Sequence, residues 1–278
     1  MILNKKPKVS VIMPFYNCEK YLDKAISSIL NQTFQDFEFI IINDASTDRS
    51  DTVVKKYFKD ERIIYLKNDT NLGVAQSLNK GITVSQGDFI AIMHGDDIAT
   101  IDRLSIQYNY MLRNPNVGIL GSYVNIIDEN DRIIKKRKIK PLTHCEIKNA
   151  IFRFTPVISP TMFVRSVVFD KIGLFREKLR RCEDYEFLIR ALFNNIQINN
   201  INVILLSYRT RKGQLSANQK SQVLTTFKII KEYSNRYHFK LSITEYLIIY
   251  VKTFFGLFFG KEVSGFLQSV YKKLFYGE

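Results

Sequence analysis

The sequence predicts an α/β fold in which helices cover both faces of a mostly parallel sheet. Two observations lead to this prediction. The first third of the chain alternates short apolar runs with segments of helical period, and short turns connect them. The chain has 278 residues, which is enough to bury a large core without disulfides or a structural metal.

The regular first third contains four predicted strands and three predicted helices. The strands are the apolar runs at 9–13, 37–42, 63–66 and 89–93. Apolar residues at helical spacing follow the first three runs, within 22–30, 53–58 and 75–82. A repeat of strand, helix and strand with short turns is typical of parallel strands joined by crossover helices.

The pattern becomes less regular after Pro115. Apolar stretches at 117–127 and 133–139 flank a polar turn, and a helix is predicted at 185–193. Further strands are predicted at 159–164 and 198–208. We therefore divide the chain into three parts, which are residues 1–115, 116–220 and 221–278.

The tail from residue 221 is predicted to be helical and amphipathic. Its apolar stretch at 246–260 is shorter than the roughly 20 residues that a membrane span needs, and Lys252 interrupts it. Basic residues beside bulky aromatics are typical of a helix that lies in a membrane interface. The alternative is that the tail packs on the rest of the chain, or on a second copy in a homodimer.

Charge and cysteine content narrow the class of partner and the compartment. Lys and Arg number 41 against 27 Asp and Glu, which gives a net charge of +14 and favours anionic partners. Basic residues cluster at 132–140 and at 209–220, but neither cluster matches a known nucleic-acid-binding module, so we do not expect nucleic acid as a partner. Three scattered cysteines and a basic N-terminus without a following apolar segment indicate a cytoplasmic protein.

Polar residues follow the predicted strands at the edge where a ligand would bind. In open α/β sheets, ligands bind outside the carboxyl ends of the strands. These ends carry Asn17, Asp44, the Asn71 turn, and a corner with His94, Asp96 and Asp97. The turn at 14–19 has no glycine, which argues against a dinucleotide fingerprint or a P-loop. Adjacent carboxylates can instead hold a Mg²⁺ or Mn²⁺ ion that bridges two phosphates.

Four segments in this order resemble glycosyltransferase family 2, namely Val9–Asn17, Phe39–Asp48, Asn71–Gly73 and Gly87–Ala91. The resemblance runs from about Pro7 to about Ser216. It implies an inverting enzyme of the Rossmann-like GT-A fold that uses a nucleotide-sugar donor. The first part of the chain would then bind the nucleotide-sugar, and the second would be the acceptor-binding half of the same domain.

The resemblance also implies roles for individual residues. The residues that it places at the nucleotide are Pro14, Tyr16, Asn17, Asp44, Ser46, Asn71, Gly73, Asp96, Arg103 and Arg211. The residues that it places at a Mn²⁺ or Mg²⁺ ion are His94, Asp96 and Asp97, with His94 in place of the first aspartate of the family's Asp-X-Asp motif. Glu183 and Asp184 resemble the Glu-Asp motif, whose aspartate acts as the general base. Arg211 stands where relatives often carry histidine, and it would contact the diphosphate directly.

These implications predict transfer of one sugar from a UDP-sugar to a hydroxyl of a glycan or an undecaprenyl-diphosphate-linked glycan. The setting would be the cytoplasmic face of a bacterial inner membrane, in the synthesis of lipopolysaccharide O-antigen or capsule. One alternative is a nucleotidyltransferase, which the missing glycine-rich loop disfavours. The other is a non-catalytic nucleotide-binding partner of another glycosyltransferase. The altered Asp-X-Asp motif keeps that alternative open, whereas the retained Glu183–Asp184 pair argues against it.

Overall fold

A computed structural model of the chain describes residues 6–137, 141–211 and 219–237. The chain divides into two compact units. One unit comprises Met1–Asn149 and Pro156–Arg211, and the other comprises Ala150–Thr155 and Lys212–Glu278. Across the described ranges, no helix is both long enough and apolar enough to cross a membrane.

The described residues form nine strands and eight α-helices in chain order. The strands are β1 (Val9–Phe15), β2 (Phe37–Asn43), β3 (Ile63–Lys67), β4 (Phe89–Ile92), β5 (Ile98–Ala99), β6 (Val117–Ile127), β7 (Ile133–Arg137), β8 (Phe163–Arg165) and β9 (Gln197–Arg209). The helices are α1 (Leu22–Leu30), α2 (Ser50–Lys55), α3 (Val74–Val84), α4 (Arg103–Arg113), α5 (His144–Ala150), α6 (Ser166–Ile172), α7 (Glu183–Phe193) and α8 (Gln219–Arg236).

All nine strands of the described ranges belong to one sheet in the first unit. Its order is β3-β2-β1-β4-β8-β6-β9-β5, and β7 pairs with β6. The four strands β1 to β4 run parallel, whereas β8 is antiparallel to both β4 and β6. Strands β6 and β9 pair in parallel. The predicted α/β fold with a mostly parallel sheet is confirmed.

The continuous apolar runs of the sequence correspond to strands that are buried on both faces. Every residue of β1, β2 and β4 is buried. A strand alternates its side chains between the two faces of the sheet, so such burial requires cover on both. Helix α1 illustrates this cover, since Leu22, Ala25, Ile26 and Ile29 lie on one of its faces and are buried.

The predicted strand at 159–164 differs in the structure. Residues Ser159–Thr161 form a 3₁₀ turn, and strand β8 begins only at Phe163. Pro160 explains the difference, because proline has no N–H to donate to a strand ladder and suits the first turn of a helix. The Thr161 hydroxyl closes the turn by donating to the Ile158 carbonyl at 2.7 Å.

Helix α8 agrees with the predicted helical start of the tail. The apolar stretch at 246–260 and the predicted contact of the tail with a membrane or a second copy fall on 238–278, outside the described residues. The division of the chain at 115 and 220 stays a prediction.

The strand order brings the predicted ligand-binding residues to one edge. Strand β1 lies between β2 and β4, so the direction in which successive strands are added reverses at β1. Ligands of open α/β sheets bind at such a switch point, outside the carboxyl ends of the strands. At this edge, β1 leads to Asn17, β2 leads to Asp44, and β4 leads to the His94 corner.

Candidate active site

Asp44 organises the turn between β3 and α3. Its buried carboxylate accepts hydrogen bonds from Asn68 Nδ2 and the Leu72 N–H, both at 2.8 Å, on Oδ1. Its Oδ2 accepts the Gly73 N–H at 2.9 Å, and the Asn71 amide donates to the Asp44 carbonyl at 3.3 Å. Because a carboxylate has about four lone-pair sites, these three hydrogen bonds leave Oδ2 with capacity to accept another. Gly73 has a φ of +89°, a conformation that favours glycine.

Asn17 joins the turn after β1 to the loop after β2. Its φ of +50° is a left-handed conformation that asparagine tolerates. Its Oδ1 accepts the N–H of Thr47 at 2.8 Å and that of Asp48 at 3.4 Å. Its own N–H donates to Ser46 Oγ at 3.1 Å. Asn17 and Ser46 therefore hold two loops together, whereas the neighbouring Tyr16 side chain is 43% exposed.

His94, Asp96 and Asp97 form a metal-ligand set directly after β4. One candidate ligand atom from each lies within 4.8 Å of the others, and His94 Nδ1 is 3.8 Å from Asp97 Oδ2. Asp97 is fully buried, and its Oδ2 has no hydrogen-bond partner among the described residues. The same holds for His94 Nε2. Imidazole nitrogen and carboxylate oxygen are both ligands of divalent transition metals, so the set fits Mn²⁺.

Burial shifts the pKa of two members of this set, His94 and Asp97. It lowers the pKa of His94, so the imidazole is neutral and keeps a lone pair for a metal. Burial, reinforced by the charge of Asp96, raises the pKa of Asp97 well above its ordinary value. A divalent cation at the corner would favour the ionised form of Asp97.

Gly95 lets the corner approach the end of β1. A Cβ atom at this position would lie 2.6 Å from the Cβ of Phe15, closer than such atoms approach in proteins. The residue between His94 and Asp96 must therefore be glycine for the corner to pack in this way. The close approach sets the corner beside the turn that carries Asn17.

Arg209 holds the corner from the end of β9. It arrives there because β5, which follows the corner, pairs antiparallel with β9. Arg209 is fully buried, and its guanidinium donates to the Asp96 and Asp128 carbonyls, both at 2.7 Å, and to Asp131 Oδ1 at 2.5 Å. Its Cζ lies 4.4 Å from the ring centroid of Tyr21, which allows a cation–π contact.

Sequence reasoning included Arg209 only as one member of a basic cluster. No local pattern distinguishes it, because Arg211 lies two residues beyond the end of β9 and the alternation of side chains along a strand does not reach it. The contacts of both arginines with Asp96 place them beside the metal-ligand set.

Arg211 contacts the corner from its more open side. Its Nε donates to Asp96 Oδ2 at 2.9 Å, and its side chain is 23% exposed. Its Nη2 lies 3.8 Å from the sulfur of Cys18, and its Cζ lies 5.9 Å from the ring centroid of Tyr21. Burial raises the pKa of Cys18 to about 12, so this thiol stays protonated and does not act as a nucleophile or a thiolate ligand.

The structure is at odds with the predicted contact between Arg103 and a nucleotide. Arg103 is the first residue of α4 and is fully buried. Its guanidinium donates to the Ile92 carbonyl at 2.8 Å and to Gln107 Oε1 at 3.0 Å, and lies 3.4 Å from Met93 Sδ. These contacts fix the end of β4 from inside the core, and they leave Arg103 no surface for a ligand.

Glu183 and Asp184 open helix α7. Both are half-buried, and Asp184 Oδ1 accepts the Tyr185 N–H at 2.8 Å. Burial raises the pKa of both carboxyls, and the charge of Asp184 adds to the rise at Glu183. A carboxylate with a raised pKa is a better base near neutral pH than an ordinary one. Acidic residues also suit the first turn of a helix, so the catalytic role of this pair stays a prediction.

The remaining predicted residue, Pro14, is buried in β1 opposite Ile42. The structure thus joins most of the predicted residues through a chain of contacts. Asp44 contacts the turn of Asn71 and Gly73, Asn17 contacts Ser46, and Arg211 connects the corner to Cys18, the residue after Asn17.

Sequence comparison identifies relatives that match most of the chain. The family model described as "Glycosyl transferase family 2" matches residues 10–173. An uncharacterised glycosyltransferase of Methanocaldococcus jannaschii is 37% identical over 84% of this chain and 82% of its own. The Escherichia coli enzyme named UDP-Glc:alpha-D-GlcNAc-diphosphoundecaprenol beta-1,3-glucosyltransferase WfaP is 27% identical over 84% of this chain and 89% of its own.

Structure comparison identifies the same fold in two solved proteins. Staphylococcus aureus TarS 1-349 in complex with UDP-GlcNAc superposes with a TM-score of 0.68 at 22% identity, covering 91% of this chain and 73% of TarS. Mannosyltransferase PcManGT of Pyrobaculum calidifontis, in complex with GDP-Man and Mn²⁺, gives a TM-score of 0.65 at 12% identity. That match covers 98% of this chain and 81% of the mannosyltransferase.

Proposed function

The chain belongs to glycosyltransferase family 2, and we propose that this glycosyltransferase moves a sugar from a UDP-sugar to a hydroxyl of a lipid-linked glycan. The observation that carries the proposal is the corner at the switch point of the sheet. There, His94, Asp96 and Asp97 offer metal ligands beside the Arg211 guanidinium. The leaving diphosphate of such a donor is multiply charged, so it needs the positive charge that a metal ion and the Arg211 guanidinium would supply at this corner.

His94, Asp96 and Asp97 would hold a Mn²⁺ or Mg²⁺ ion, which would offset the charge that develops on the leaving diphosphate. The neutral imidazole and the two buried carboxylates suit such an ion, and the mannosyltransferase of the same fold was solved with Mn²⁺. Arg211 would add one more cation to the diphosphate. Arg209 and Gly95 would keep the corner in place.

The remaining acceptor site on Asp44 Oδ2 bears on the base of the donor. A carboxylate accepts hydrogen bonds, so it can bind the ring N–H of uracil or guanine but not the unprotonated N3 of neutral cytosine. UDP-Glc in the name of WfaP and UDP-GlcNAc in the TarS complex support uridine for this chain. We therefore propose a UDP-sugar as the donor.

Asp184 would act as the general base of an inverting displacement. In this step the acceptor hydroxyl loses its proton to the Asp184 carboxylate while its oxygen forms a bond to the anomeric carbon. The bond from that carbon to the diphosphate oxygen breaks, and the electron pair leaves with the diphosphate. The raised pKa of Asp184 supports this role, because the base then holds the proton more firmly.

The acceptor and the location follow from the same relatives. WfaP is named for a diphosphoundecaprenol-linked acceptor, which supports a lipid-linked glycan as acceptor for this chain. We propose that the enzyme works at the cytoplasmic face of a bacterial inner membrane, in the synthesis of O-antigen or capsule. The net charge of +14 favours an anionic membrane surface. Contact of the tail with the membrane, or formation of a homodimer through the tail, is part of the same proposal.

A melting-temperature panel tests the donor and the metal together. The full chain is heated with UDP, GDP, CMP or dTDP, each with and without Mn²⁺. A ligand at about 100 times its dissociation constant stabilises a fold by about 2.7 kcal/mol. We expect the largest rise in melting temperature with UDP and Mn²⁺, and a larger rise with GDP would contradict the donor assignment.

Asp96→Ala tests the corner in the same panel, with Asp170→Ala as the matched control. Asp170 is an exposed carboxylate on α6, so its removal changes the net charge equally without touching the corner. We expect Asp96→Ala to lose the Mn²⁺-dependent part of the UDP response and Asp170→Ala to keep it. Normal binding of UDP and Mn²⁺ by Asp96→Ala would show that the metal site lies elsewhere. Nucleotide binding without any transfer would favour a non-catalytic partner.

A further inference from the structure

Arg209, at the end of β9, and Arg211, two residues beyond it, both contact Asp96, but their other contacts differ. Arg209 is fully buried, and its guanidinium donates to three oxygens and stacks on Tyr21. Arg211 is partly exposed, and its one short hydrogen bond in the described structure is from Nε to Asp96 Oδ2 at 2.9 Å. Its contacts with Cys18 and Tyr21 are long. Arg209 is therefore a fixed part of the corner, whereas Arg211 is free to leave once it loses Asp96.

Asp96 is also the carboxylate that the metal-ligand set shares with Arg211. A divalent ion that binds Oδ2 needs the lone pairs that face the guanidinium. An ion that binds Oδ1 instead still lies next to the guanidinium on the same carboxylate, and two cations at that distance repel each other. Arg211 and a metal ion thus compete for Asp96 as long as no other anion is present.

A nucleoside diphosphate changes this balance, because its oxygens offer Arg211 a new anionic partner. Guanidinium groups bind phosphate oxygens through charge-assisted hydrogen bonds. We propose that Arg211 is the internal counter-ion of the metal site, which opposes metal binding to the free protein and moves from Asp96 to the diphosphate when the donor binds. The inference rests on the proposed function, since it takes a metal ion and a nucleoside diphosphate as the ligands.

This exchange couples the two ligands. Each ligand strengthens the binding of the other, because the diphosphate removes Arg211 from Asp96 and the metal drives it toward the diphosphate. By linkage, the factor by which UDP tightens Mn²⁺ binding equals the factor by which Mn²⁺ tightens UDP binding. Arg211 weakens the binding of the metal ion to the free protein and strengthens the binding of the nucleoside diphosphate. These opposite effects distinguish an internal counter-ion from an ordinary phosphate-binding residue.

Arg211→Gln in the full chain tests whether Arg211 affects the Mn²⁺ and UDP affinities in opposite directions. Calorimetric titration measures the Mn²⁺ affinity without nucleotide, and a second titration measures the UDP affinity with Mn²⁺ present. We expect Mn²⁺ to bind the variant about tenfold more tightly without nucleotide, the scale of one hydrogen bond to a charged group. We expect UDP in the presence of Mn²⁺ to bind about tenfold more weakly, on the same scale. The coupling factor between the two ligands should fall accordingly.

Lys20→Gln is the matched control for general electrostatics. Lys20 Nζ lies 5.3 Å from the centroid of the same Tyr21 ring and 3.9 Å from a Glu129 carboxylate oxygen. Its removal takes one charge from the neighbourhood of the corner, and its Mn²⁺ affinity should stay within about twofold of wild type, as expected for an exposed charge. Arg211→Lys is a second variant that keeps the charge, so its Mn²⁺ affinity should stay closer to wild type than that of Arg211→Gln. Melting curves check that each variant is folded.

The outcomes separate this inference from the proposed function. A wild-type chain that binds neither UDP nor Mn²⁺ would overturn both. Wild-type binding of both ligands, with an unchanged or weaker Mn²⁺ affinity in Arg211→Gln, would overturn the counter-ion role alone. Equal tightening by Lys20→Gln and Arg211→Gln would also overturn it, because the effect would then be general electrostatics.

Discussion

Replacing Arg209 by methionine removes the buried cation that holds the metal corner. Methionine keeps much of the side-chain length and apolar contact but offers no donor. The Asp96 and Asp128 carbonyls each lose a hydrogen bond of 2.7 Å. Asp131 keeps Lys24 as a partner, so its carboxylate is not left unpaired. The backbone N–H of residue 209, which donates to Asp97 at 2.8 Å, is unaffected.

The size of the effect follows from these contacts. The buried Asp96 carbonyl left without a donor costs about 1–3 kcal/mol. The half-buried Asp128 carbonyl keeps the Asp131 N–H as a donor at 3.3 Å, so it adds little. The contact of the guanidinium with Tyr21 at 4.4 Å is worth up to about 2 kcal/mol when desolvated. Packing of the methionine offsets part of this loss. We expect the free energy of unfolding to fall by about 2 kcal/mol, which for a chain of this size lowers the melting temperature by roughly 4–8 °C.

Urea unfolding of Arg209→Met beside Arg62→Met provides the measurement and its control. The Arg62 guanidinium has a similar set of contacts, with Asp60 at 2.7 Å, Gln35 at 2.8 Å and the Phe37 ring centroid at 4.7 Å. Its side chain is 25% exposed, so water can replace the lost partners, and we expect a loss of about 1 kcal/mol. Equal losses in the two variants would refute the argument that burial makes Arg209 important.

Two further predictions concern the carboxylate pair at the start of α7. Asp184→Asn should reduce the rate of sugar transfer by about 10²–10⁴-fold, the usual cost of losing a positioned base, and leave the UDP affinity within a few-fold of wild type. Transfer assays and UDP titrations check this, and near-normal transfer would contradict the assignment of the base. Burial and the charge of Asp184 raise the pKa of Glu183 to about 8 in the folded chain. Below its ordinary pKa of about 4.3, Glu183 is protonated in both the folded and the unfolded chain and does not lower the free energy of unfolding. As the pH rises from there toward 8, the unfolded chain ionises first, and the free energy of unfolding falls. Glu183→Gln should therefore gain stability relative to wild type between pH 5 and pH 8 in urea unfolding, and a difference that is constant with pH would contradict the raised pKa.

The sequence by itself determined the fold class and the edge of the sheet where the site lies. The strands β1, β2 and β4 are buried on both faces, so they stand out as continuous apolar runs. Parallel strands end at the same edge, so the residues that follow them must meet there. For this reason Asp44 and the corner with His94, Asp96 and Asp97 could be assigned to one edge before any coordinates were known.

Only the tertiary structure decided what three arginines do. Arg103, Arg209 and Arg211 have the same chemistry, and no local pattern separates them. In the structure, Arg103 is buried and donates to the Ile92 carbonyl at the end of β4. Arg209 is buried and donates to the Asp96 carbonyl, whereas Arg211 is partly exposed and donates to the Asp96 carboxylate. Arg209 and Asp96 are 113 residues apart, and the two-residue strand β5 brings them together by pairing with β9. Local propensity cannot predict such a short strand, because its register depends on the packing of the whole sheet.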